Sequence, residues 1–434
     1  MRVLFHIALR NVLAHRERGL LLLLVMAGAS AVLVGVMSLK AGVAAAQREA
    51  VRTYLAGDLN VGGYFKEHPD SLFPVLGDTA RVRAALQPHV PAECQVRERG
   101  RGMATAGAGR HRVRSYLMSL DVARERETLS RFRPRAGRLE ALDAPRTVAL
   151  STSLAERLQV EVGELATLFV QMPGGKRNAV DLEVVAVLER AGVLGESAGL
   201  LVSNATLREL YGFRPDAASV LQLTCEGAAD EDLEPLAGRL RGALRDAGFQ
   251  VLPAAHEAYG DKLVPLLREG WAGQKLDVST WEDEAAFLDF VDQGLGLLLV
   301  LLGGVLFAAV GVGLFVSLSV AVRERTREIG SMRAMGMHRR ALVAAFVLEG
   351  LLLGLVASGV GACASAGLGV LLRDVLPLPD ALSTLFFSGT LPLAPAPGHV
   401  VAAVLLVTLG AGLASIVPAF RAASLSPRSA MESL

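Results

Sequence analysis

The chain has 434 residues, of which 52% are hydrophobic and 20% charged, with a formal net charge of +1. A mean hydropathy of +0.42 is high for a water-soluble protein, while the charged fraction is too large for a chain made only of membrane helices. A mixed chain follows, part in lipid and part in water, and the near-neutral balance carries no electrostatic footprint for nucleic acid.

Residues 1–18 place Phe5, Leu9, Val12 and Leu13 on one helical face, with Arg10 and Arg16 off it. That is the pattern of a short amphipathic helix lying along the cytoplasmic surface of a membrane. Gly19 to Leu39 carries no charge, and about twenty apolar residues suffice to cross the hydrocarbon core. The first transmembrane helix is expected over 19–41. Its apolar run is longer than the roughly 7–15 residues of a signal-peptide core, so Ala44-Ala45-Ala46 reads as the end of an uncleaved anchor.

Residues 42–288 read as one large water-exposed region. Ala80–Leu86 and Asp230–Ala247 have helical amphipathic spacing; Val113–Leu120, Leu165–Gln171 and Val180–Leu188 are Val- and Leu-rich strands. The turn residues of Met172–Asn178 join two of those strands into a hairpin. Ser151-Thr152-Ser153 offers an N-cap to the short helix that follows. Strands alternating with short helices predict an α+β domain. Of the three cysteines, Cys363 lies in an apolar run. Cys94 and Cys225 could pair if this region is extracytoplasmic, a point their spacing leaves open.

Three more apolar runs follow. The second helix is expected over 289–322, longer than the bilayer is thick and therefore tilted or projecting. The third is expected over 341–372, broken only by Glu349, and the fourth over 399–418, ending at Pro418. The loop 373–398 carries Pro377, Pro379, Pro392, Pro395 and Pro397 and is expected to stay irregular. Orientation follows from the short segments. Arg2, Arg10, Arg16 and Arg18 precede the first run; Arg323, Arg325, Arg327, Arg333, Arg339 and Arg340 fill the segment 323–340; Arg421 and Arg428 lie in the tail 419–434. Arg373 is the lone basic residue of 373–398. Both termini and 323–340 are thus expected in the cytoplasm, and 42–288 and 373–398 outside. The fold class is an α-helical membrane protein of four transmembrane helices, with a large α+β extracytoplasmic domain between helices 1 and 2.

Chemistry is sparse. A phosphate-cradling loop needs G-x-x-x-x-G-K-[ST], and the only GGK here, Gly174-Gly175-Lys176, has Val170 and Arg177 at the outer positions. There is no G-x-S-x-G or H-E-x-x-H, and the eight histidines are scattered, so neither a catalytic site nor a metal site is expected. Glu349 is an intramembrane acid, costly unless it faces protein or water. It reads as a contact in a moving bundle or a substrate path, or as a Glu that reaches the interface or a structural partner. Gly350, Gly354, Ser358, Ala362 and Ala366 recur every fourth position, a ridge that lets helix backbones approach closely. The ridge serves a subunit interface or packing within the chain.

The segment 323–340 is the most informative. Taken as a helix, it puts Ile329, Met332 and Gly336 on one face with Met335 beside them, and arginines and glutamates on the flanks. An adaptable apolar edge with charged flanks suits docking into a groove of another protein; a basic turn that only fixes topology is the plainer reading. The stretch "VRERTREIGSMRAMGMHRRALVAAFVLEGLLLGLVASGVG" (Val322–Gly361) resembles the signature of FtsX/MacB-type ABC permeases. Val322, Glu324, Arg325, Thr326, Glu328, Ile329, Gly330, Arg333, Ala334, Gly336, Phe346 and Glu349 match it, with Leu342 where Ile is usual. "PAFRAASLSPRSAMESL" (Pro418–Leu434) is similar to the family's C-terminal ending, "IALRNVLAHRERG" to its amphipathic first helix, and "TVALSTSLAERLQVEVGELATLF" to a segment of its outer domain.

The resemblance implies a dimerising permease of the bacterial inner membrane, paired with the same or a homologous chain. A separate ABC ATPase subunit, which carries the ATP and Mg, would bind at 323–340. It assigns the coupling role to Glu324, Arg325, Glu328, Ile329, Gly330, Met332, Arg333, Met335 and Gly336. It implies no cofactor in this chain, and a mechanism in which closure of the ATPase is relayed along the second helix to the outer domain. Ser115–Arg138 looks like the lipoprotein-releasing branch, which implies a lipid or lipoprotein substrate and a periplasmic carrier. Alternatives are a mechanical efflux permease with a periplasmic adaptor, and a transmembrane regulator of a cell-wall hydrolase. The hairpin that hooks the carrier in one relative is long; Met172–Asn178 is short, which leaves that task to a second permease.

Overall fold

The apolar runs fold as four long helices in the computed structural model, which describes residues 16–68, 71–130, 132, 134–189, 198–227, 229–324, 326, 331, 337–373 and 375–424. The helices are Arg16–Ala50, Asp289–Glu324, Arg339–Leu372 and Pro397–Ser424, here spans 1 to 4. Each is long and apolar enough to cross a membrane. Two units result. One holds the described residues of 1–44, 291–377 and 390–434; the other holds those of 45–290 and 378–389.

In the first unit the helices meet through small residues. Ser30 Oγ donates to the Ser358 carbonyl at 2.9 Å, and Ser365 Oγ to the Ala31 carbonyl at 2.7 Å, tying span 1 to span 3. A methyl on Gly361 would fall on the Ala27 carbonyl, and one on Gly350 on the Ser415 side chain. Gly354 faces Thr408 and Ala411, and the Ser358 hydroxyl lies 3.4 Å from that of Thr408. Ala362 is fully buried and Ala366 packs against the same core. The predicted ridge of Gly350, Gly354, Ser358, Ala362 and Ala366 therefore lies in the packing of span 3 against spans 1 and 4 of its own chain. Such close approach replaces the hydrophobic drive that lipid cannot supply.

Span 2 packs differently. Val310, Leu314, Leu318 and Val322, one per turn, are its buried stripe, while Leu297, Val300, Leu301, Val305, Val312 and Val316 stay exposed.

The second unit is α+β. Its described residues hold twelve strands: β1 (Leu59–Lys66), β2 (Leu72–Pro74), β3 (Cys94–Ala108), β4 (His111–Leu120), β5 (Pro134–Gly137), β6 (Thr147–Ser151), β7 (Leu165–Gln171), β8 (Arg177–Leu188), β9 (Ala198–Ser203), β10 (Val220–Cys225), β11 (Gln250–Val251) and β12 (Gly273–Thr280). One half is the sheet β11-β12-β1-β10-β3, covered by helices α1 (Thr79–Leu86) and α2 (Asp230–Asp246). Leu233, Leu236, Ala237, Leu240 and Leu244 form the buried stripe of α2, at spacings of three and four.

The other half closes on itself. From Gly100 onward β3 pairs β4; β4 pairs β9, β9 pairs β6, β6 pairs β8, β8 pairs β7, and β7 returns to β3 through Thr105–Gly107. Alternate residues point inward: Ala104 and Ala106, Val148 and Leu150, Ala166 and Leu168, Leu182 and Val184, Leu200 and Val202 are all buried in one cluster. Through Arg99, the same β3 pairs β10 in the first half. Cys94 and Cys225 stand opposite each other in that pairing, their Cα atoms 3.9 Å apart, and form a disulfide.

Several sequence expectations hold at residue level. Ser151 caps the helix Thr152–Leu158 by accepting from Leu154 N, and β7 and β8 form the hairpin around a tight turn at Pro173–Gly175. Others need correction. The span 1 helix does not stop at 41 but runs to Ala50 and continues as a wider turn over Val51–Ala56, because an alanine-rich stretch without proline follows Gly42. Gly42 is needed there: the Pro392 carbonyl fills the place of its side chain. Span 4 passes through Pro418 to Ser424; a proline in a membrane helix forfeits a backbone bond without ending it. The loop 373–398 is not irregular throughout, since Asp380–Phe386 is helical between Pro379 and Pro392. The expected helix over 1–18 and the tail lie mostly outside the described residues.

Candidate functional site

The predicted docking segment begins where span 2 ends. Glu324 is exposed at the last turn, and Thr326 continues the helical pattern by donating to the carbonyls of Val322 at 3.0 Å and Arg323 at 2.9 Å. Arg325, Glu328, Ile329, Gly330, Met332, Arg333, Met335 and Gly336 lie outside the described residues. Met337 packs on the bundle core, and His338 occupies the N-cap position of span 3 without a side-chain capping bond. Glu349 is half-buried beside Gly350. No grouping of His, Cys, Asp or Glu fit for a metal occurs among the described residues.

Sequence reasoning missed a second constellation, at the root of the α+β unit. The last turns of the span 1 helix and the first turn of the span 2 helix both belong to this unit. Arg48 pairs with Asp230 at 2.9 Å and stacks over Trp281, its guanidinium 5.1 Å from the ring centre. Arg52, one turn on, pairs with Asp58 and reaches Asp230 at 3.2 Å. Asp58 is buried, accepts from Cys225 N at 2.6 Å, and its carbonyl receives Trp281 N at 3.0 Å. Val51, Ala56 and Leu288 fill the space between, with Phe387 packed against them; Gln47 Nε2 donates to the Leu385 carbonyl at 3.1 Å.

On the span 2 side, Thr280 and Asp283 form a capping box that starts the short helix Trp281–Glu284. Glu284 then turns inward. Its carboxylate meets Arg101 of β3 at 2.7 Å and receives the Ser279 hydroxyl at 2.7 Å; Arg101 also donates to Asn60 Oδ1 at 3.0 Å. Burial alone would lower the Arg101 guanidinium, but Glu284 more than offsets it and holds it above its ordinary value. Beside this pair lies a second one, Lys262 with Asp277 at 2.8 Å, both buried; burial pushes the Asp277 carboxyl up against the pull of Lys262. Both stretches, 45–58 and 280–289, are thus held within this unit by charged contacts. The clue was in the sequence. Thr280-x-x-Asp283 ahead of an apolar run is a capping-box signature, and Arg48 and Arg52, four apart just past an apolar run, are a helical pair.

His256 bridges the same region, Nδ1 3.3 Å from Asp283 and Nε2 3.2 Å from Asp289. Burial lowers its pKa, but the two carboxylates together raise it by more, with a net upward shift. A raised folded-state value means that the stabilisation is full below about pH 6.5, the unfolded value, and is lost as pH rises through the folded value. The thermal midpoint of this unit is expected to fall between pH 6 and pH 8.5 in the wild type by more than in His256→Gln. Tryptophan fluorescence reads it selectively, because both tryptophans, Trp271 and Trp281, lie in this unit.

Within the first unit, spans 1, 2 and 4 line an open-sided apolar cavity of about 380 Å³. Leu33 and Met37 of span 1, Leu299 and Phe307 of span 2, and Ala403 and Leu406 of span 4 line it, and Gly303 and Gly304 open its wall. It offers no polar group able to orient a hydrophilic ligand.

Residues 300–427 match the FtsX-like permease C-terminal family. The chain is 23% identical over 397 residues to the macrolide export ATP-binding/permease protein MacB of Bdellovibrio bacteriovorus, covering 86% of this chain and 54% of that one. It is 28% identical over 123 residues to the uncharacterized ABC transporter permease YvrN of Bacillus subtilis, covering 27% of this chain and 30% of that one. The chain therefore spans about half the length of the first of these curated relatives and under a third of the second. Among solved structures, the extracellular domain of the noncanonic ABC-type transporter YknZ from Gram-positive bacteria aligns at 16% identity, TM-score 0.29, over 44% of this chain and 94% of that one. The periplasmic region of MacB from Actinobacillus actinomycetemcomitans aligns at 10% identity, TM-score 0.30, over 57% and 95%.

Proposed function

We propose, from the premise that the chain is an ABC permease of the FtsX/MacB type, that it converts the closing of a partner ATPase into movement of its α+β unit. The observation that carries this reading is the charged root. The exposed Arg48 and half-buried Arg52 tie the end of the span 1 helix into the unit, and the buried Glu284 ties in the short helix just ahead of span 2, so displacement of either helix would be delivered to the strands. Span 2 is the transmitting element. It begins at Asp289, shortly after Glu284, and ends at Glu324, where the docking segment starts. The ATPase, with ATP and Mg, grips the apolar edge of Ile329, Met332, Met335 and Gly336, while Arg325, Glu328, Gly330 and Arg333 set the register.

The arginine distribution supports an orientation with 323–340 and both termini in the cytoplasm and the α+β unit outside a bacterial inner membrane. The Cys94–Cys225 disulfide agrees with an oxidising compartment. A second permease subunit covers the exposed apolar side of span 2. For the substrate we favour a lipid-anchored protein drawn from the membrane and passed to a periplasmic carrier, because the cavity between spans 1, 2 and 4 is lined for an acyl chain. Export of a small apolar molecule through a periplasmic adaptor is the second reading, favoured by the macrolide-exporting name of one relative.

The test is co-purification in detergent with the candidate ATPase. Met332→Glu and Gly336→Glu each put a carboxylate into the docking edge and are expected to abolish recovery of the ATPase while the tryptophan melt stays unchanged. Undiminished recovery with both variants refutes the assignment.

A further inference from the structure

A second cavity, of about 510 Å³, lies between spans 3 and 4 at the end where span 3 begins. Its lining is sorted along its length. Arg339 and Arg340 stand at one end, in the first turn of span 3. Val343 and Val347 follow on the same helical face, at steps of four. Span 4 runs beside them with Ile416 and then Phe420, whose ring is 61% exposed. Both arginines are exposed, and among the described residues no acid lines the groove and neither arginine has an ion pair. Arg421 is held elsewhere, over the Phe315 ring. The positive end of the span 3 helix adds to the field at the same mouth.

A groove with a cationic mouth and an apolar floor is shaped for an amphiphile with an anionic head. We infer that it holds an anionic glycerophospholipid of the surrounding leaflet. The phosphate lies on Arg339 and Arg340, and an acyl chain runs over Val343, Val347, Ile416 and Phe420. Basic pockets between membrane helices on the cytoplasmic side recognise such headgroups. A free phosphate would leave the apolar floor unused, and a zwitterionic lipid would leave the arginines without net compensation. The inference rests on the four helices lying in a bilayer and on nothing in the α+β unit, so it stands or falls apart from the relay.

The test uses the full chain in a neutral detergent, with phosphatidylglycerol or phosphatidylcholine added at equal mole fraction and bound lipid counted by native mass spectrometry. Each basic residue beside an anionic lipid is worth about a fivefold change in binding, so Arg339→Gln with Arg340→Gln should lower phosphatidylglycerol retention by roughly 25-fold and remove its advantage over phosphatidylcholine. Ala344→Trp leaves both charges in place but fills the groove, and should also release phosphatidylglycerol. Equal retention of the two lipids by the wild type overturns the inference. So does phosphatidylglycerol retention undiminished in Ala344→Trp, which would assign the binding to surface charge without the groove.

Discussion

Glu284→Gln is expected to lower the stability of the α+β unit by about 3–5 kcal/mol, the usual cost of breaking a buried ion pair and stranding its partner. Arg101 and Glu284 are 10% and 2% exposed at the side chain, so the guanidinium left behind has little water to turn to. For a domain of this size the loss corresponds to a drop of roughly 6–20 °C in the thermal midpoint. Fluorescence of Trp271 and Trp281 would record it in detergent-solubilised protein. Arg101→Met should be comparably harmful, since it strands Glu284 with only Ser279 donating to it. Combining Arg101→Met with Glu284→Met should recover much of the loss, because an apolar pair of similar volume no longer carries a desolvated charge. The recovered protein is the informative one. With its unit stable but the Arg101–Glu284 part of the charged root gone, it should keep the ATPase bound while stimulation of that ATPase by substrate falls. Full stimulation in the double variant would show that the pair serves stability alone.

The second large effect concerns the disulfide. Cys94 opens β3 and Cys225 closes β10, so the bond encloses a loop with a sequence separation of 131. Cross-links over long loops restrict the unfolded chain most, and loss of a native one typically costs about 2–5 kcal/mol. Cys94→Ser with Cys225→Ser should therefore lower the tryptophan-reported midpoint by roughly 4–20 °C. Reductant should do the same to the wild type and nothing further to the variant. A wild type indifferent to reductant at its midpoint would show the bond absent in the mature protein. Because Cys225 N also donates to Asp58, which Arg52 grips, the variant should loosen the root of span 1 as well.

Local features were legible because they obey a short period. The stripe Leu233, Leu236, Ala237, Leu240 and Leu244 announces a helix, and Ser151 before a helical run announces a cap that the structure contains. The hairpin over Met172–Asn178 needed only its turn residues. Closure of the six strands was not legible. It depends on Thr105–Gly107 meeting Thr167–Phe169, a pairing of segments far apart in sequence that no local pattern encodes. Arg101 was hidden for a similar reason. In "VRERGRG" it looks like any solvated strand arginine, and only the fold brings Glu284 to it. Asp380–Phe386 was lost to a composition rule: five prolines suggested an irregular loop, but none falls inside the helix.

β3 belongs to both halves of the α+β unit, pairing β10 up to Arg99 and β4 from Gly100 onward. Arg101 sits just past that handover. A tug arriving at Glu284 is therefore met by an unbroken covalent rod with neighbours hydrogen-bonded along its whole length, and the ring it enters has no loose end to peel from. Swivelling one half against the other would require unzipping that rod. The α+β unit should therefore travel as one stiff piece.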